Sequence, residues 1–213
     1  MPQICNTLCS VKPASLQEQA LLRLARQHPL LRARDVAKHG LPTVWLSRLV
    51  ADGRLERVAR GVYSLPDRPV HEHRSLAEVC IRVPRGVVCL LSALRVHDIG
   101  SQAPSEVWLA IPHRMVAPRL DRPALRVVRM SGPALTKGVE RIQIDGVDIP
   151  VFGAAKTIAD CFKYRNKIGL DVALEALTGG WRERKVSMDD LWRFAAIDRV
   201  ANVMRPYLEA VSA

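Results

Sequence analysis

Near its amino end the chain places five short elements in close succession, and their order is the strongest constraint on its fold. Apolar residues recur with helical spacing in three segments, and two strand-like segments follow. Gly40-Leu41-Pro42 separates the second and third helices, since glycine favours the end of one helix and proline the first turn of the next. Ala59-Arg60-Gly61 between the strands is a hairpin signal. The predicted elements are helices over residues 15–27, 32–39 and 42–52 and strands over 55–58 and 62–65.

This order of helix, helix, turn, helix and hairpin is that of a winged helix-turn-helix. The charge distribution agrees with such a DNA-binding unit. The first 70 residues hold 11 lysines and arginines against 5 acidic residues, so they carry +6 of the chain's net charge of +11. A positive surface attracts polyanions and releases condensed counterions when it binds them. We therefore expect this part of the chain to bind double-stranded DNA.

The third predicted helix has an outward face suited to reading DNA. Short side chains on it allow close approach to the bases, and an arginine can reach guanine acceptors or phosphate. Arginines of the hairpin, or wing, are expected to grip the flanking backbone or to enter the minor groove. Basic residues around the second helix would add phosphate contacts. The candidate DNA-binding residues are Thr43, Val44, Ser47 and Arg48 on the third helix, Arg57 and Arg60 on the wing, and Arg32, Arg34 and Lys38 around the second helix.

The remainder of the chain predicts a second, mixed domain. Residues 1–14 show little periodicity and are interpreted as a loose leader, and Pro66-Asp67-Arg68-Pro69 is interpreted as a linker because its two prolines interrupt either kind of element. The expected fold class is α+β, with a winged helix-turn-helix over residues 15–66 followed by a mixed α/β domain over 67–213 whose last part is helical. The elements predicted for this domain are helices over 73–82 and 92–98, strands over 107–111, 125–130, 141–144 and 147–152, with a tight turn at Asp145-Gly146, and helical stripes from Ala155 to Val211.

Motifs for catalysis are missing from the sequence. It contains no phosphate-binding glycine loop, no dinucleotide-binding motif and no nucleophile elbow, and its strands lack the carboxylate and lysine spacing of nucleases. His71-Glu72-His73 offers metal-binding residue types, but zinc proteases space their two histidines four residues apart so that both share one helix face. We therefore expect a protein that is not an enzyme, with no metal, no cofactor and no small-molecule substrate.

The compartment is inferred from two further patterns. No stretch approaches the roughly 20 apolar residues that cross a membrane, and the first ten residues do not resemble a secretory signal. We therefore expect a cytoplasmic protein with no membrane partner. The chain has five cysteines, of which Cys80, Cys89 and Cys161 lie in apolar contexts. Buried, reduced thiols are the expected state of these three residues.

A basic run near residue 160 is a second candidate interaction surface. Its side chains could simply be solvated, or they could meet an acidic partner or nucleic acid. The tryptophans of the second domain likewise have two interpretations, as core or interface residues or as base-stacking platforms. The candidate partner-binding residues of the basic run are Lys156, Lys163, Arg165 and Lys167.

Several segments resemble one known family, the AbiEi-type antitoxins of type IV toxin-antitoxin (abortive infection) systems. In the first domain the resemblance lies in Leu41-Pro42 to Val50, Gly53-Arg54-Leu55 and Arg60-Gly61-Val62-Tyr63. In the second domain it lies in the segments 89–94, 107–112, 155–163 and 203–208, and the run Ala155-Lys156-Thr157-Ile158-Ala159-Asp160-Cys161-Phe162 is the most specific of them.

The resemblance implies a repressor of its own operon that binds promoter repeats and counters a toxin with a nucleotidyltransferase fold encoded beside it. It implies no catalytic residues. Two alternatives remain open from the sequence, namely a nuclease delivered to its substrate by the winged helix and a repressor whose second domain senses a small ligand.

Overall fold

The computed structural model contains both helices and strands and describes residues 16–67, 72–120 and 122–212. Contacts between residues divide the chain into two units, Met1–Pro69 and Val70–Ala213. Both units mix helices with a sheet, which confirms the expected α+β class. The predicted leader, Ser15 at the start of the first predicted helix, and Arg68, Pro69 and His71 lie outside the described residues.

The N-terminal unit places three helices against a small antiparallel sheet. Strand β3 lies in the centre of the sheet, with β1 on one side and β2 on the other. Its register pairs Leu31 with Tyr63 and Arg57 with the same Tyr63. Its elements are α1 (Leu16–Gln27), β1 (Leu31–Arg32), α2 (Ala33–Lys38), α3 (Val44–Ala51), β2 (Glu56–Ala59) and β3 (Val62–Ser64).

Apolar side chains at helical spacing build the core of this unit. Leu21 and Val36 are fully buried, and Leu46 and Leu49, three residues apart on α3, are each only 1% exposed. Their period of three to four residues turns one stripe of each helix inward. The opposite side of α3 is consequently left facing outward.

The main difference from the sequence prediction in this unit is the additional strand β1, while the ends of α3, β2 and β3 differ from the predicted ones by one or two residues. The second helix was predicted over residues 32–39 but begins at Ala33, because Leu31 and Arg32 pair with β3 as a short strand. The Leu31 side chain is buried in the core. A contact with a strand 30 residues further along the chain therefore overrides the local helical signal.

The C-terminal unit contains a five-stranded mixed sheet. Its spatial order is β6, β5, β4, β8, β7. Strands β5 and β6 are parallel, β4 runs antiparallel to β5 and parallel to β8, and β7 and β8 form an antiparallel hairpin. The predicted turn of this hairpin is confirmed, with Asp145 at φ 52° and Gly146 at φ 73°. The strands are β4 (Val87–Val88), β5 (Val107–Pro112), β6 (Leu125–Met130), β7 (Val139–Ile144) and β8 (Val147–Phe152).

Eight helices accompany this sheet within the described residues. The helix α7 is central, because every side chain from Ala155 to Phe162 is buried. Predicted and observed ends differ by up to two residues for α4 and α5, while the single-turn helices α6 and α8 and the strand β4 were not predicted. The helices are α4 (Arg74–Arg82), α5 (Leu90–Val96), α6 (Pro133–Thr136), α7 (Ala154–Lys163), α8 (Arg165–Ile168), α9 (Leu170–Arg182), α10 (Met188–Ile197) and α11 (Ala201–Ser212). Across the described residues, none of the helices combines the length and the apolar character that a bilayer crossing requires.

Candidate nucleic-acid interface

The four residues predicted to read DNA share the outward face of α3 and of the residue before it. Thr43, Val44, Ser47 and Arg48 are all exposed. Val44 is an aliphatic side chain and yet keeps 54% of its surface accessible. The surface thus offers a methyl-bearing contact, two hydroxyls and one guanidinium, which are the groups that meet thymine methyls, base edges and guanine acceptors.

Trp45 holds this face in place, and sequence reasoning did not identify it. The Trp45 indole Nε1 donates a hydrogen bond to Oε1 of Gln17 on α1, at 3.0 Å. The Arg48 guanidinium stacks over the Trp45 ring at 4.8 Å from its centroid. The spacing of three residues on one helix was the available signal for this cation–π contact. Trp45 therefore restricts the directions in which Arg48 can point.

Arg48 keeps its hydrogen-bonding capacity despite this stacking. It forms no ion pair with any other described residue. A guanidinium stacked on its flat face still directs its N–H groups outward in the plane. Arg48 is therefore oriented and available to an acceptor outside the protein.

The two wing arginines are also exposed. Arg57 lies on β2 opposite Tyr63, and Arg60 lies in the turn between β2 and β3. Gly61 completes that turn with φ 72°, a left-handed backbone that favours glycine. An irregularity in the register between Arg57 and Ala59 twists the hairpin locally. Arg60 is thus exposed at the tip of the hairpin.

The basic residues around α2 are less available. Arg32 and Lys38 both pair with Asp35, the lysine at 3.8 Å from its Oδ1. Arg34 is exposed and forms no ion pair in the part of the chain that the structure describes. One acidic residue therefore offsets two of the three cations predicted to contact phosphate. A further pair, between Arg54 and Glu18, ties the segment after α3 to α1.

The basic run of the C-terminal unit requires a correction. Lys156 was predicted on a partner-binding surface, but its side chain is fully buried on α7. Its Nζ donates to Asp160 Oδ1 at 2.5 Å and to Asp198 Oδ2 at 3.0 Å. A lysine becomes this inaccessible only when carboxylates offset the loss of hydration. Lys156 is therefore a structural residue and is removed from the candidate interface.

The other three members of the run retain some access to solvent. Lys163 is partly buried and pairs with Asp198 at 3.3 Å. Arg165 is partly buried and donates to the carbonyl oxygen of Phe162 at 2.9 Å. Lys167 is exposed and lies 5.7 Å from the centroid of the Tyr164 ring. Lys167 is thus the most accessible cation of this run.

The ion cluster of Lys156, Lys163, Asp160 and Asp198 has unusual electrostatics. Burial, reinforced by the nearby Asp198 carboxylate and opposed by Lys156, raises the pKa of Asp160 to about 8. The Asp160 Oδ2 atom is buried and has no hydrogen-bond partner. The Asp160 carboxyl therefore holds a proton near neutral pH more readily than an ordinary aspartate does.

The cysteines and the histidine motif add no reactive group to the described residues. Cys80, Cys89 and Cys161 are free and buried, and burial raises the pKa of the Cys80 thiol to about 12. A protonated thiol is a poor nucleophile. In the histidine motif, Glu72 pairs with Arg95 at 3.2 Å, and no group of three potential metal ligands is present among the described residues.

Two comparisons with known proteins bear on this geometry. No protein of curated function matches the chain. The chain is similar in fold to the crystal structure of the RV2827C protein from Mycobacterium tuberculosis, with a TM-score of 0.58 and 13% sequence identity over 86% of this chain and 74% of that one. At that identity the likeness concerns the fold alone. Residues 19–66, which contain the α3 face and the wing, match the family described as "Transcriptional regulator, AbiEi antitoxin". The family resemblance predicted from the sequence is thereby confirmed for residues 19–66.

Proposed function

We propose that this chain is an antitoxin and autorepressor that binds its own promoter through a winged helix. In this proposal α3 is the recognition helix, and the hairpin of β2 and β3 is the wing. The C-terminal unit counteracts a nucleotidyltransferase-like toxin encoded beside it. The observation that carries the proposal is the exposed face of Thr43, Val44, Ser47 and Arg48, within a segment that matches a family of antitoxin transcriptional regulators.

The dimensions of α3 suit the major groove. An α-helix with its side chains is about 10–12 Å in diameter, which is close to the width of about 12 Å of that groove in B-form DNA. Arg48 would donate to a guanine or a phosphate, and Val44 would contact a thymine methyl. Arg60 at the tip of the wing would contact flanking phosphates or the minor groove.

Promoter binding by single variants tests the assignment of these roles. Arg48→Gln removes the charge that contacts a base and should weaken binding by about 1–3 kcal/mol, mainly at one base pair of the operator. Arg60→Gln should weaken binding to all sequences alike and should lower the salt slope by about one phosphate contact. Fluorescence anisotropy with labelled promoter duplex at several salt concentrations measures both effects.

Arg205→Gln provides the matched control for these variants. Arg205 is an exposed arginine on α11 of the C-terminal unit, so the variant loses the same charge outside the proposed interface. The control should bind promoter DNA as the unmodified protein does. If Arg48→Gln binds as tightly as Arg205→Gln at equal salt, α3 is not the recognition helix.

The division of labour between the units has its own test. A full-length Arg48→Gln and Arg60→Gln double variant, expressed from an unrelated promoter, should fail to repress the native promoter but should still rescue cells from the toxin. The expectation follows because both substitutions lie on the outside of the N-terminal unit. Loss of rescue by a folded double variant would place antitoxin activity in the N-terminal unit and would refute the proposed division.

Within the C-terminal unit, the proposed contact with an acidic partner is made by the three residues of the basic run other than Lys156. Lys163, Arg165 and Lys167 keep access to solvent, and Lys167 is the least engaged of them. Lys167→Glu should weaken an association driven by positive charge, because a reversed rim charge lowers the association rate. Toxin rescue by this variant, compared with that by Lys167→Arg, measures the effect.

A further inference from the structure

A basic crevice lies at one end of the C-terminal sheet, where the parallel strands β5 and β6 finish. The register pairs Pro112 with Met130 at the last positions of these two strands. Because Val87 pairs with Ala110 in the antiparallel neighbour β4, Arg85 lies beside Pro112 just before β4 begins. The crevice has a volume of about 480 Å³. The carboxyl ends of parallel strands are where α/β sheets most often bind ligands.

The lining of this crevice combines positive charge with an apolar floor. Arg85 and Arg114 contribute the positive charge, and His113 and Ser131 contribute further polar groups. The apolar part is formed by Pro112, Met130 and Leu135. Among the described residues that line it there is no carboxylate. Within the described part of the chain, neither Arg85 nor Arg114 forms an ion pair. Two guanidinium groups therefore remain without an anionic partner at one site.

The loop that supplies His113 and Arg114 is held in place by a neighbouring side chain. Arg129 on β6 donates from one guanidinium nitrogen to the carbonyl oxygens of His113, at 2.8 Å, and Met115, at 2.6 Å. These charge-assisted bonds fix the loop backbone next to the end of β6. A site whose loop is already ordered loses less conformational entropy when a ligand binds.

A larger cleft near the start of α7 is a weaker candidate. It has a volume of about 560 Å³, and its lining includes Lys185 and Arg193. Lys185 pairs with Glu183 at 2.6 Å and Arg193 pairs with Asp190 at 2.7 Å. Arg184 also lines this cleft and is outside the ion pairs of the described residues, but the carboxylates of Glu140 and Asp190 lie in the same lining. The crevice at β5 and β6 therefore offers more uncompensated positive charge to a ligand.

We propose that this crevice binds the phosphate monoester group of a small molecule of about mononucleotide size. Guanidinium groups bind phosphate through paired N–H donors, and the serine hydroxyl and histidine ring are further donors. The apolar floor suits a base or another planar group, and the volume lies within the usual range of ligand sites. The site belongs to the C-terminal unit, whereas the proposed DNA-binding face belongs to the N-terminal unit. Ligand binding at this site would be a second property of the C-terminal unit, in addition to its proposed antitoxin role.

Isothermal titration calorimetry on the full-length protein tests the site with inorganic phosphate, AMP and adenosine. We expect AMP to bind more tightly than phosphate and adenosine not to bind, because the phosphate group provides the anchor. The Arg85→Gln and Arg114→Gln double variant should weaken AMP binding by at least about tenfold, since it removes two charge-assisted contacts. Both side chains are exposed, so the far-UV circular dichroism of this variant should be unchanged.

Two control variants distinguish this site from other basic surfaces. Arg141→Gln removes an exposed arginine from β7, at the other edge of the same sheet, and should leave AMP binding unchanged. The Arg48→Gln and Arg60→Gln variant should also bind AMP normally, which separates this site from DNA binding. If a 5′-phosphorylated dinucleotide binds more tightly than AMP and the same dinucleotide with a 5′-hydroxyl does not bind, the site is supported and its ligand is the 5′-phosphorylated end of a nucleic-acid strand. Absence of phosphate and AMP binding by the unmodified protein, or equal AMP binding by the double variant and Arg141→Gln, would overturn the proposal.

Discussion

Replacing Lys156 with methionine should destabilise the C-terminal unit more than the same substitution at any other lysine of that unit. Methionine keeps much of the length of the apolar side chain but removes the ammonium group. That group donates to Asp160 Oδ1 at 2.5 Å and to Asp198 Oδ2 at 3.0 Å, and all three side chains are fully buried. Without Lys156 the two carboxyl groups face each other away from water, and only Asp198 retains a cation, Lys163 at 3.3 Å.

The expected loss of stability is about 3–5 kcal/mol, the range for breaking a buried ion pair by removing one partner. Lys163→Met is the matched control. It removes one ion pair whose lysine is 31% exposed, so solvent screening should limit its cost to about 1 kcal/mol or less. Urea denaturation followed by tryptophan fluorescence measures both values, because three of the four tryptophans belong to the C-terminal unit.

A second variant tests the physical reason for this loss. Adding Asp160→Asn and Asp198→Asn to Lys156→Met replaces both carboxyl groups that have lost the Lys156 ammonium. This triple variant should regain a large part of the lost stability, since a neutral replacement of a whole buried cluster is often tolerated. The reasoning is refuted if Lys156→Met costs no more than Lys163→Met, or if the triple variant is less stable than Lys156→Met alone.

The remaining predictions concern the same cluster and the two cores. The pKa of Asp160 is about 8 in the folded state and about 3.9 in the unfolded state, so the folded state keeps the proton over this range and the free energy of unfolding falls as pH rises from about 4 through 8. Asp160→Asn should flatten this pH dependence, by up to about 1.4 kcal/mol per pH unit. Parallel pH profiles of the variant and the unmodified protein in urea denaturation would contradict the prediction. Gly138→Ala should lower the free energy of unfolding by roughly 1–3 kcal/mol, because Gly138 has φ 72° and an added Cβ would lie 2.7 Å from Phe194; an unchanged urea midpoint would show that the site relaxes. Leu46→Ala should cost about 2–5 kcal/mol in the N-terminal unit, whereas Leu16→Ala, at a residue that is 83% exposed, should have little effect; similar midpoints for the two variants would contradict the assigned core.

Local patterns were sufficient to predict most helices and strands. The stripe of Leu46 and Leu49 identified the buried side of α3, and both residues are buried as predicted. The Asp145-Gly146 pair identified the hairpin of β7 and β8, because its backbone requirement depends on adjacent residues only. Such signals depend on a few neighbouring residues, and tertiary contacts did not override them at these positions.

The elements that sequence reasoning missed depend on distant partners. Strands β1 and β4 have only two residues each, which is too short for any periodicity, and they exist because a neighbouring strand pairs with them. The buried state of Lys156 depends on Asp198, which is 42 residues away. Asp160, four residues after Lys156, was a local signal for an ion pair on one helix face, but it does not indicate burial.

The candidate DNA-binding face was predictable in part. The period of α3 places Thr43, Val44, Ser47 and Arg48 outward, and all four are exposed. The bond from Trp45 to Gln17 could not be predicted, because it joins two helices whose relative packing the sequence does not specify. The stacking of Arg48 on Trp45 has helical spacing and could have been foreseen. The pairing of Arg32 and Lys38 with Asp35 has helical spacing and could have been foreseen.

Photo-crosslinking from the outward face of α3 tests the central claim most directly. A photoreactive amino acid replaces Ser47, which is exposed on α3, or Thr178, which is exposed on α9 of the C-terminal unit. Both full-length proteins are irradiated with a duplex of the native promoter. The proposed recognition helix predicts a covalent adduct with the DNA from position 47, at a base within the operator, and none from position 178. A protein that binds the promoter but forms no adduct from position 47 would contradict the account.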